Sequence, residues 1–217
     1  MPAALVKSQS VNRGSTCAPL KMKAGVISLQ GAAPEHLRAF ETAMREMGMV
    51  GEAVSIRRRG ELDGVDCLAI PGGESTTIAK LLKRFDLFDR VRALAAEGMP
   101  IMGTCAGCVL LAKEGDAEVE RTGTELLGLM DMRVKRNAFG RQRESFEAEL
   151  KIEGMDGSFP AIFIRGPVIE KVWGSCRPLS VHDGMVVMAR QENLLALSFH
   201  PELSGDTRVH RMLLELV

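Results

Sequence analysis

The sequence of 217 residues has no net charge, no long apolar run and no internal repeat. Its 28 basic residues balance its 28 acidic ones, so it carries no overall positive charge of the kind that attracts nucleic acid. No apolar stretch approaches the roughly 18 residues that a membrane-spanning helix needs. We therefore expect neither a nucleic-acid nor a membrane partner, and the length predicts a single domain with one core.

The five cysteines are an odd number, and no convincing signal peptide precedes them. This combination predicts reduced thiols and a cytoplasmic protein. Residues 1–22 include Lys7, Arg13 and Lys21 but no acidic residue and no periodic apolar pattern. We interpret residues 1–22 as a disordered extension or a start codon placed too early, with a short transit peptide as the alternative. Residues 23–217 are then the single folded domain.

Short β-branched runs alternate with amphipathic helical patterns after residue 23, which is typical of a largely parallel sheet. In this part, strands are expected at 24–29, 52–57, 65–70 and 99–103, and helices at 34–48, 76–83, 87–97 and 108–113. Strand-like segments follow at 127–135, 146–152, 161–164, 168–173, 181–189 and 194–199, before a closing helix at 207–217. Because no long helix separates the later strands, we expect antiparallel strands to extend an α/β core.

The strongest local feature is Gly103-Thr-Cys-Ala-Gly107, which lies between a predicted strand and a predicted helix. Flanking glycines permit the tight turn of a nucleophile elbow, which lifts the central side chain out of the sheet. At the start of a helix, backbone N–H groups favour the thiolate form of that side chain. Cys105 is therefore the candidate nucleophile, and an ordinary buried cysteine beside a glycine-rich turn is the alternative.

Cys105 and Cys108 also form a C-x-x-C pair, which suits a redox dithiol or part of a zinc site. A structural zinc ion needs four ligands, and the other cysteines form no second pair of this kind, so we expect no metal. A dithiol remains open as a less favoured alternative, because the flanking glycines fit an elbow better than a redox helix.

A nucleophilic cysteine needs a base, and His200 is the best candidate among the four histidines. It follows the last apolar strand, where parallel sheets present catalytic groups. Residues two apart in an extended strand share a face, so Glu202 could orient the imidazole of His200. His36 and His210 fall among charged residues in helical patterns and are expected at the surface, and His182 is expected in a turn.

The segment Pro71-Gly-Gly-Glu-Ser-Thr76 also lies between a predicted strand and a predicted helix. The backbone of Gly72 and Gly73 could turn its N–H groups, that of Gly73 above all, toward a developing oxyanion, with the N–H of Ala106, the residue after the nucleophile, as the partner donor. A phosphate-binding turn is the alternative. It is less favoured because the segment lacks the P-loop lysine and the G-x-G-x-x-G pattern.

These motifs resemble the triad-type (class I) glutamine amidotransferases, and within them the glutaminase subunits of pyridoxal 5′-phosphate synthases. The resemblance extends from Gly25 to Val217. Its motifs are Leu29-Gln-Gly-Ala with Glu35-His36, Pro71-Gly-Gly-Glu-Ser-Thr76, Gly103-Thr-Cys-Ala-Gly107, Arg136-Asn-Ala-Phe-Gly-Arg-Gln142, Phe163-Ile-Arg-Gly-Pro167 and Ser198-Phe-His-Pro-Glu-Leu203. Two positions depart from the family pattern: Cys108 stands where an aliphatic residue is usual, and Gly166 where alanine is commoner.

The resemblance implies a three-layer, flavodoxin-like α/β fold with a mostly parallel central sheet, helices on both faces and additional antiparallel strands. It also implies that Cys105 attacks the side-chain amide of L-glutamine, forming a glutamyl thioester and releasing ammonia. His200 would protonate the leaving ammonia and later activate water, while Glu202 orients His200.

The resemblance further implies a set of substrate-binding residues: Gly73, Glu74, Ser75, Arg136, Ile164 and Arg165. A guanidinium suits the α-carboxylate of free glutamine, which gives Arg136 or Arg165 a physical role. No cofactor would be required. The implied partner is a barrel-shaped synthase subunit that uses the ammonia to build pyridoxal 5′-phosphate. The alternatives are a glutaminase serving another acceptor, such as imidazole glycerol phosphate synthesis, and a non-catalytic or redox module of the same fold.

Overall fold

The computed structural model describes residues 21–136 and 145–217, and all structural statements below concern these residues. The strands are β1 Met22–Ile27, β2 Gly51–Ile56, β3 Cys67–Ile70, β4 Ile101–Thr104, β5 Ala112–Glu114, β6 Met130–Lys135, β7 Ser145–Leu150, β8 Phe159–Ile164, β9 Val168–Val172, β10 Arg177–His182, β11 Met185–Gln191 and β12 Leu194–Leu197. The helices are α1 Ala33–Glu46, α2 Ser75–Arg84, α3 Phe88–Ala96, α4 Ala106–Leu111, α5 Ala117–Thr122 and α6 Arg208–Leu214, with 3-10 helices at Arg59–Leu62 and Pro201–Leu203.

The main sheet has the strand order β2-β1-β3-β4-β12-β11-β9-β6-β5, with β10 paired to β11. The first five strands in this order are mutually parallel, whereas β12, β11, β9 and β6 pair antiparallel to one another. A separate antiparallel hairpin consists of β7 and β8. The predicted α/β architecture, a mostly parallel sheet with antiparallel strands, is therefore confirmed.

Alternating side chains of the central strands enter two different apolar clusters, because successive residues of a strand point to opposite faces. In β3, Leu68 and Ile70 pack with α2, α3 and α4. Cys67 and Ala69 belong to the other cluster, which contains apolar side chains of α1, α6 and the β7–β8 hairpin. The sheet thus lies between two layers. Each fully buried leucine or isoleucine contributes about 1.5–3 kcal/mol to this core.

Three parts of the structure differ from the sequence-based expectation. The predicted helix at 108–113 ends at Leu111, and Ala112–Glu114 forms strand β5 instead. The segment 181–189, predicted as one strand, spans the end of β10, a turn and most of β11. Asp183 and Gly184 have φ values of +48° and +75° there, as two-residue hairpin turns require. Helix α5 was not predicted, because Val119 is its one buried residue and a helical apolar period is absent. Its start depends instead on the Asp116 carboxylate, which accepts hydrogen bonds from the N–H groups of Glu118 and Val119.

The strand register brings three loops to one edge of the sheet. Ile70 of β3 lies opposite Gly103 of β4, and Thr104 lies opposite Leu197 of β12. Because these neighbouring strands are parallel, the segments that follow them leave the sheet side by side. The Pro71–Glu74 loop, Cys105 and His200 are contained in those three segments.

The predicted extension, residues 1–22, falls almost entirely outside the described residues. Strand β1 begins at Met22, which pairs with Gly51 of β2. Within residues 21–136 and 145–217, none of the helices is long and apolar enough to cross a membrane.

Candidate active site

Cys105 occupies the sharp turn between β4 and α4, with φ +48° and ψ −101°. Few residues other than glycine adopt a positive φ, and such strain is a feature of nucleophile elbows. A Cβ on Gly103 would lie 2.5 Å from the carbonyl oxygen of Gly107, and a Cβ on Gly107 would lie 2.1 Å from the carbonyl oxygen of Ile70. The two flanking glycines are therefore required by close backbone contacts, and the predicted elbow geometry is present.

The Cys105 side chain is buried next to β8. Its Sγ lies 3.9 Å from the carbonyl oxygen of Ile164, a long sulfur contact. The backbone N–H of Cys105 donates to the carbonyl oxygen of Leu197 at 2.8 Å, which ties the elbow to the end of β12. The nucleophile candidate is thus held between β8 and β12, near the segment that carries His200.

His200 and Glu202 are in contact, although the backbone between them is not the extended strand that was expected. Strand β12 ends at Leu197, and Pro201–Leu203 is a 3-10 helix. Proline cannot donate to a strand ladder and its fixed φ suits the first turn of a helix, which explains the difference. The turn still places His200 Nδ1 at 2.7 Å from Glu202 Oε1. Nδ1 therefore donates to the carboxylate, and Nε2 is left for the thiol.

The electrostatics of His200 favour the imidazolium form. Burial by itself lowers its pKa, but hydrogen bonds with Cys105 and Glu202 and their negative charges outweigh burial and raise the pKa to about 10. A histidine that stays protonated at neutral pH can donate a proton to a leaving group.

His36 and His210 are fully buried, so the prediction that they lie at the surface is wrong. His36 Nε2 is 3.1 Å from Thr104 Oγ1, and His36 Nδ1 is 3.0 Å from His210 Nε2. Desolvation by burial, with the neighbouring His210 and His200, lowers the pKa of His36 well below 6.5, so it is neutral. A usable signal was present, because His36 precedes the buried Phe40 by one helical turn.

An open pocket of about 650 Å³ extends from the elbow. Every residue predicted to act on the substrate lines it, whereas Glu202, predicted to orient His200, does not: the lining set includes Gly72, Gly73, Glu74, Ser75, Cys105, Ala106, Arg136, Ile164, Arg165 and His200. Sequence reasoning assigned no role to the other lining residues: Gly31, Ala32, Val109, Ser145, Pro167 and Leu203. Gly31, Pro167 and Leu203 belong to motifs that the sequence analysis identified, but their position at the pocket was not predicted.

The Glu74 carboxylate caps helix α2. It accepts hydrogen bonds from the N–H groups of Thr76 at 3.0 Å and Thr77 at 2.6 Å. Burial raises the pKa of this carboxyl, but the hydrogen bonds from Thr77 and Thr76 have the larger, opposite effect and lower the pKa to about 2. Since Glu74 already satisfies these N–H groups, the structure does not support the phosphate-binding alternative.

Arg136 is anchored at the same corner of the pocket. Its Nη2 lies 3.4 Å from Glu74 Oε1, and its Nη1 lies 3.2 Å from Thr122 Oγ1. Its backbone N–H donates to the Asp116 carboxylate at 2.9 Å. The guanidinium is therefore presented in a defined orientation. The rest of this motif, residues 137–142, lies outside the described residues.

The Pro71–Glu74 loop lies directly against Cys105 and His200. A Cβ on Gly72 would lie 2.4 Å from His200 Cε1 and 3.3 Å from Cys105 Cβ. The loop is supported from the β1–α1 side, where the Glu74 N–H donates to Gln30 Oε1 at 3.0 Å. Gly73 and Ala106 both line the pocket beside Cys105. Their role as oxyanion donors remains a prediction.

Cys108 is fully buried beneath the elbow. Burial, with smaller contributions from Cys105 and Cys176, raises the pKa of its thiol. A thiol of this kind is a poor nucleophile, so a reactive Cys105–Cys108 dithiol is not favoured. Among the residues that the structure describes, no group of three or more His, Cys, Asp or Glu side chains is arranged to hold a metal ion.

Comparisons with known proteins agree with this geometry. The chain is 50% identical over 196 residues to pyridoxal 5′-phosphate synthase subunit PdxT of Methanosarcina mazei, covering 90% of this chain and 98% of the relative. It is 49% identical over 195 residues to the protein of that name from Archaeoglobus fulgidus, covering 90% and 98%.

Solved structures give the same result. A crystal structure described as a glutamine amidotransferase matches with a TM-score of 0.79 and 43% identity, over 89% of this chain and 97% of that one. The structure of PurLQS from Thermotoga maritima, at 17% identity and a TM-score of 0.64, shares the fold over 90% of this chain and 99% of that one. Residues 26–217 match the model of one family. The chain therefore belongs to the SNO glutamine amidotransferase family.

Proposed function

We propose that this protein is the glutaminase subunit of a pyridoxal 5′-phosphate synthase, which hydrolyses L-glutamine to L-glutamate and ammonia. The observation that carries the proposal is the hydrogen bond between His200 and Glu202 together with the position of His200 beside Cys105 at one pocket. The relatives named as synthase subunits, at about 50% identity, support the choice of pathway. No observation on the described residues favours another ammonia acceptor.

The reaction follows from the positions of these groups. The Cys105 sulfur attacks the side-chain carbonyl carbon of glutamine, and the resulting oxyanion accepts hydrogen bonds from the Gly73 and Ala106 N–H groups. The C–N bond breaks as His200 protonates the nitrogen, which leaves as ammonia. A water molecule, deprotonated by His200, then attacks the thioester, and the C–S bond breaks to release glutamate. Glu202 keeps His200 oriented throughout.

Two guanidiniums at the pocket explain a preference for free glutamine. Arg136 and Arg165 line it, and the orientation of Arg136 is set by Glu74 and Thr122. One of the two binds the α-carboxylate of the substrate, because a planar guanidinium matches a carboxylate with two parallel hydrogen bonds. Gly73 from the Pro71–Glu74 loop, Ser75 from the start of α2 and Ile164 from the end of β8 complete the substrate contacts.

The proposed partner is a barrel-shaped synthase subunit that receives the ammonia. Ile164 and Leu203 are exposed apolar side chains at the pocket, with 37% and 40% of their surface accessible, and a docked subunit would cover them. Cys67, Cys105, Cys108 and Cys176 are all free thiols. This fits a reducing compartment, and we propose a cytoplasmic location.

The test is to replace Cys105 by alanine and measure glutamate release with and without the synthase subunit. We expect activity to be abolished while the fold persists, because the nucleophile is removed from an intact elbow. The matched control is Cys67→Ala, another buried cysteine, which lies on β3 away from the pocket. Glutamate release by the Cys105→Ala protein comparable to that of the control would show that the nucleophile is assigned wrongly.

A further inference from the structure

The two carboxylate oxygens of Glu202 have different surroundings. Oε1 accepts a hydrogen bond from His200 at 2.7 Å. Oε2 has no well-aligned hydrogen bond, and both side chains of the pair it forms with His36 are fully buried, with His36 Nε2 at 3.3 Å. A buried carboxylate oxygen without a donor is strongly destabilising. His36, a residue of helix α1 that does not line the pocket, lies within reach of this second oxygen of Glu202.

The protonation state of His210 Nδ1 determines which histidine donates in the hydrogen bond between His210 and His36. His210 Nδ1 is buried and has no partner among the described residues. An orphaned N–H costs more than an orphaned ring lone pair, so Nδ1 is unprotonated and His210 carries its proton on Nε2. That proton is donated to His36 Nδ1 at 3.0 Å. His36 must then carry its own proton on Nε2, the atom that faces Thr104 Oγ1 and Glu202 Oε2.

We propose that His36 is a positioning residue of this glutaminase: its neutral imidazole donates Nε2–H to Glu202 and Thr104, and His210 selects the tautomer that makes this possible. The proposal rests on the glutaminase function proposed above. Helices α1 and α6, on one face of the sheet, thereby orient the carboxylate that orients His200. The groups that face this chain are Thr104 from β4, His210 from α6, and Glu202, His200 and Cys105 at the triad.

The chemistry of asparagine and glutamine provides a matched test at this position. A glutamine side chain can place its amide nitrogen near the position of Nε2, and an asparagine side chain reaches only the position of Nδ1. Both are neutral and polar, so both disturb the buried layer to a similar degree. His36→Gln keeps a donor for Glu202, whereas His36→Asn keeps a contact with His210 and leaves Glu202 without its donor.

We expect His36→Asn to lower kcat for glutamine hydrolysis by about 10- to 100-fold, the effect of losing one hydrogen bond to a charged group, with little change in KM. His36→Gln should retain kcat within about threefold of the wild type. The alkaline limb of the kcat profile should move to lower pH in His36→Asn, because a less well-held Glu202 no longer raises the pKa of His200 as far. Met44→Ala, a packing change on the same helix, is the control for stability alone.

The measurements use the protein in complex with its synthase subunit, with the melting temperature of each variant recorded. Equal kcat values for the asparagine and glutamine variants would overturn the proposal, as would a difference confined to KM. So would an unshifted alkaline limb in His36→Asn, because a purely structural histidine does not affect the titration of His200. The glutaminase assignment has its own test in Cys105→Ala, so a failure here leaves that result standing.

Discussion

The two sides of the reaction centre are held in place by different forces. On the glycine side, formed by Gly103, Cys105 and Gly107, backbone atoms approach so closely that neither glycine can accept a Cβ. On the histidine side, formed by His200, Glu202 and His36, buried polar side chains hold one another across separate elements. The glycine side should therefore fail when volume is added, and the histidine side when a donor or charge is removed at constant volume.

The largest effect is expected from Gly107→Ala. Its Cβ would lie 2.1 Å from the carbonyl oxygen of Ile70, and backbone of β3 cannot yield as a flexible side chain does. We expect the free energy of unfolding to fall by about 3 kcal/mol and glutaminase activity to be lost. Urea denaturation and glutamate release measure the two quantities. Gly60→Ala is the control, because that position has open space. A stable, active Gly107→Ala protein would show that close backbone contact does not hold the glycine side in place.

Glu202→Gln changes the histidine side without changing its volume. The amide NH₂ turned toward His200 Nδ1 would favour the wrong tautomer of the imidazole, as in other triads. We expect kcat to fall by about 10²- to 10⁴-fold, with a change in unfolding free energy of about 1 kcal/mol. Steady-state kinetics and urea denaturation of the same sample check both. A stability loss as large as that of Gly107→Ala would show that the two sides do not differ in the proposed way.

The pH profile provides a third test of the histidine side. The pKa of His200 is raised to about 10, so the imidazolium that protonates the leaving ammonia persists at neutral pH and is lost as the pH rises through this value. We expect kcat to decline above about pH 10. The free energy of unfolding should also fall as the pH rises. The stabilisation by protonated His200 is fully present below its unfolded pKa, about 6.5, and is lost as the pH approaches 10. Rate and melting temperature measured from pH 6 to 10.5 should show both; an alkaline limb near pH 7 would contradict the assignment.

The smallest effect is expected from Cys108→Ala. This thiol is buried under the elbow with a raised pKa and has no proposed part in the reaction. We expect a loss of about 1 kcal/mol in unfolding free energy from the vacated volume, and kcat within about twofold of the wild type. Inactivation by hydrogen peroxide should keep its wild-type rate, because oxidation requires an accessible thiolate. Slower inactivation of Cys108→Ala would instead support a redox-active Cys105–Cys108 dithiol.

The parts that sequence predicted well are local. The elbow at Cys105 requires two glycines within five residues, and close backbone approach leaves few other residue choices there. The residues predicted to bind the substrate, from Gly73 to Arg165, were selected through motifs, and the structure gathers them at one pocket. The contact of His200 with Glu202 was predicted on an extended backbone, but a 3-10 turn brings the two side chains together. The prediction missed this because a spacing of two residues fits both conformations.

The burial of His36 and His210 was not predicted, because each histidine is surrounded in sequence by charged residues, a pattern that is typical of a helix surface. The amphipathic period on α1 would have placed His36 inside, yet nothing local tells which buried groups it meets. Its partners are Thr104, Glu202 and His210, between 68 and 174 residues away in the chain. Sequence by itself determined the family, the layered architecture and the elbow that carries the candidate nucleophile Cys105, since these depend on short-range patterns and backbone sterics. Only the tertiary structure decided how the triad is held from behind, because that depends on which side chains separate strands and helices bring to the same buried point.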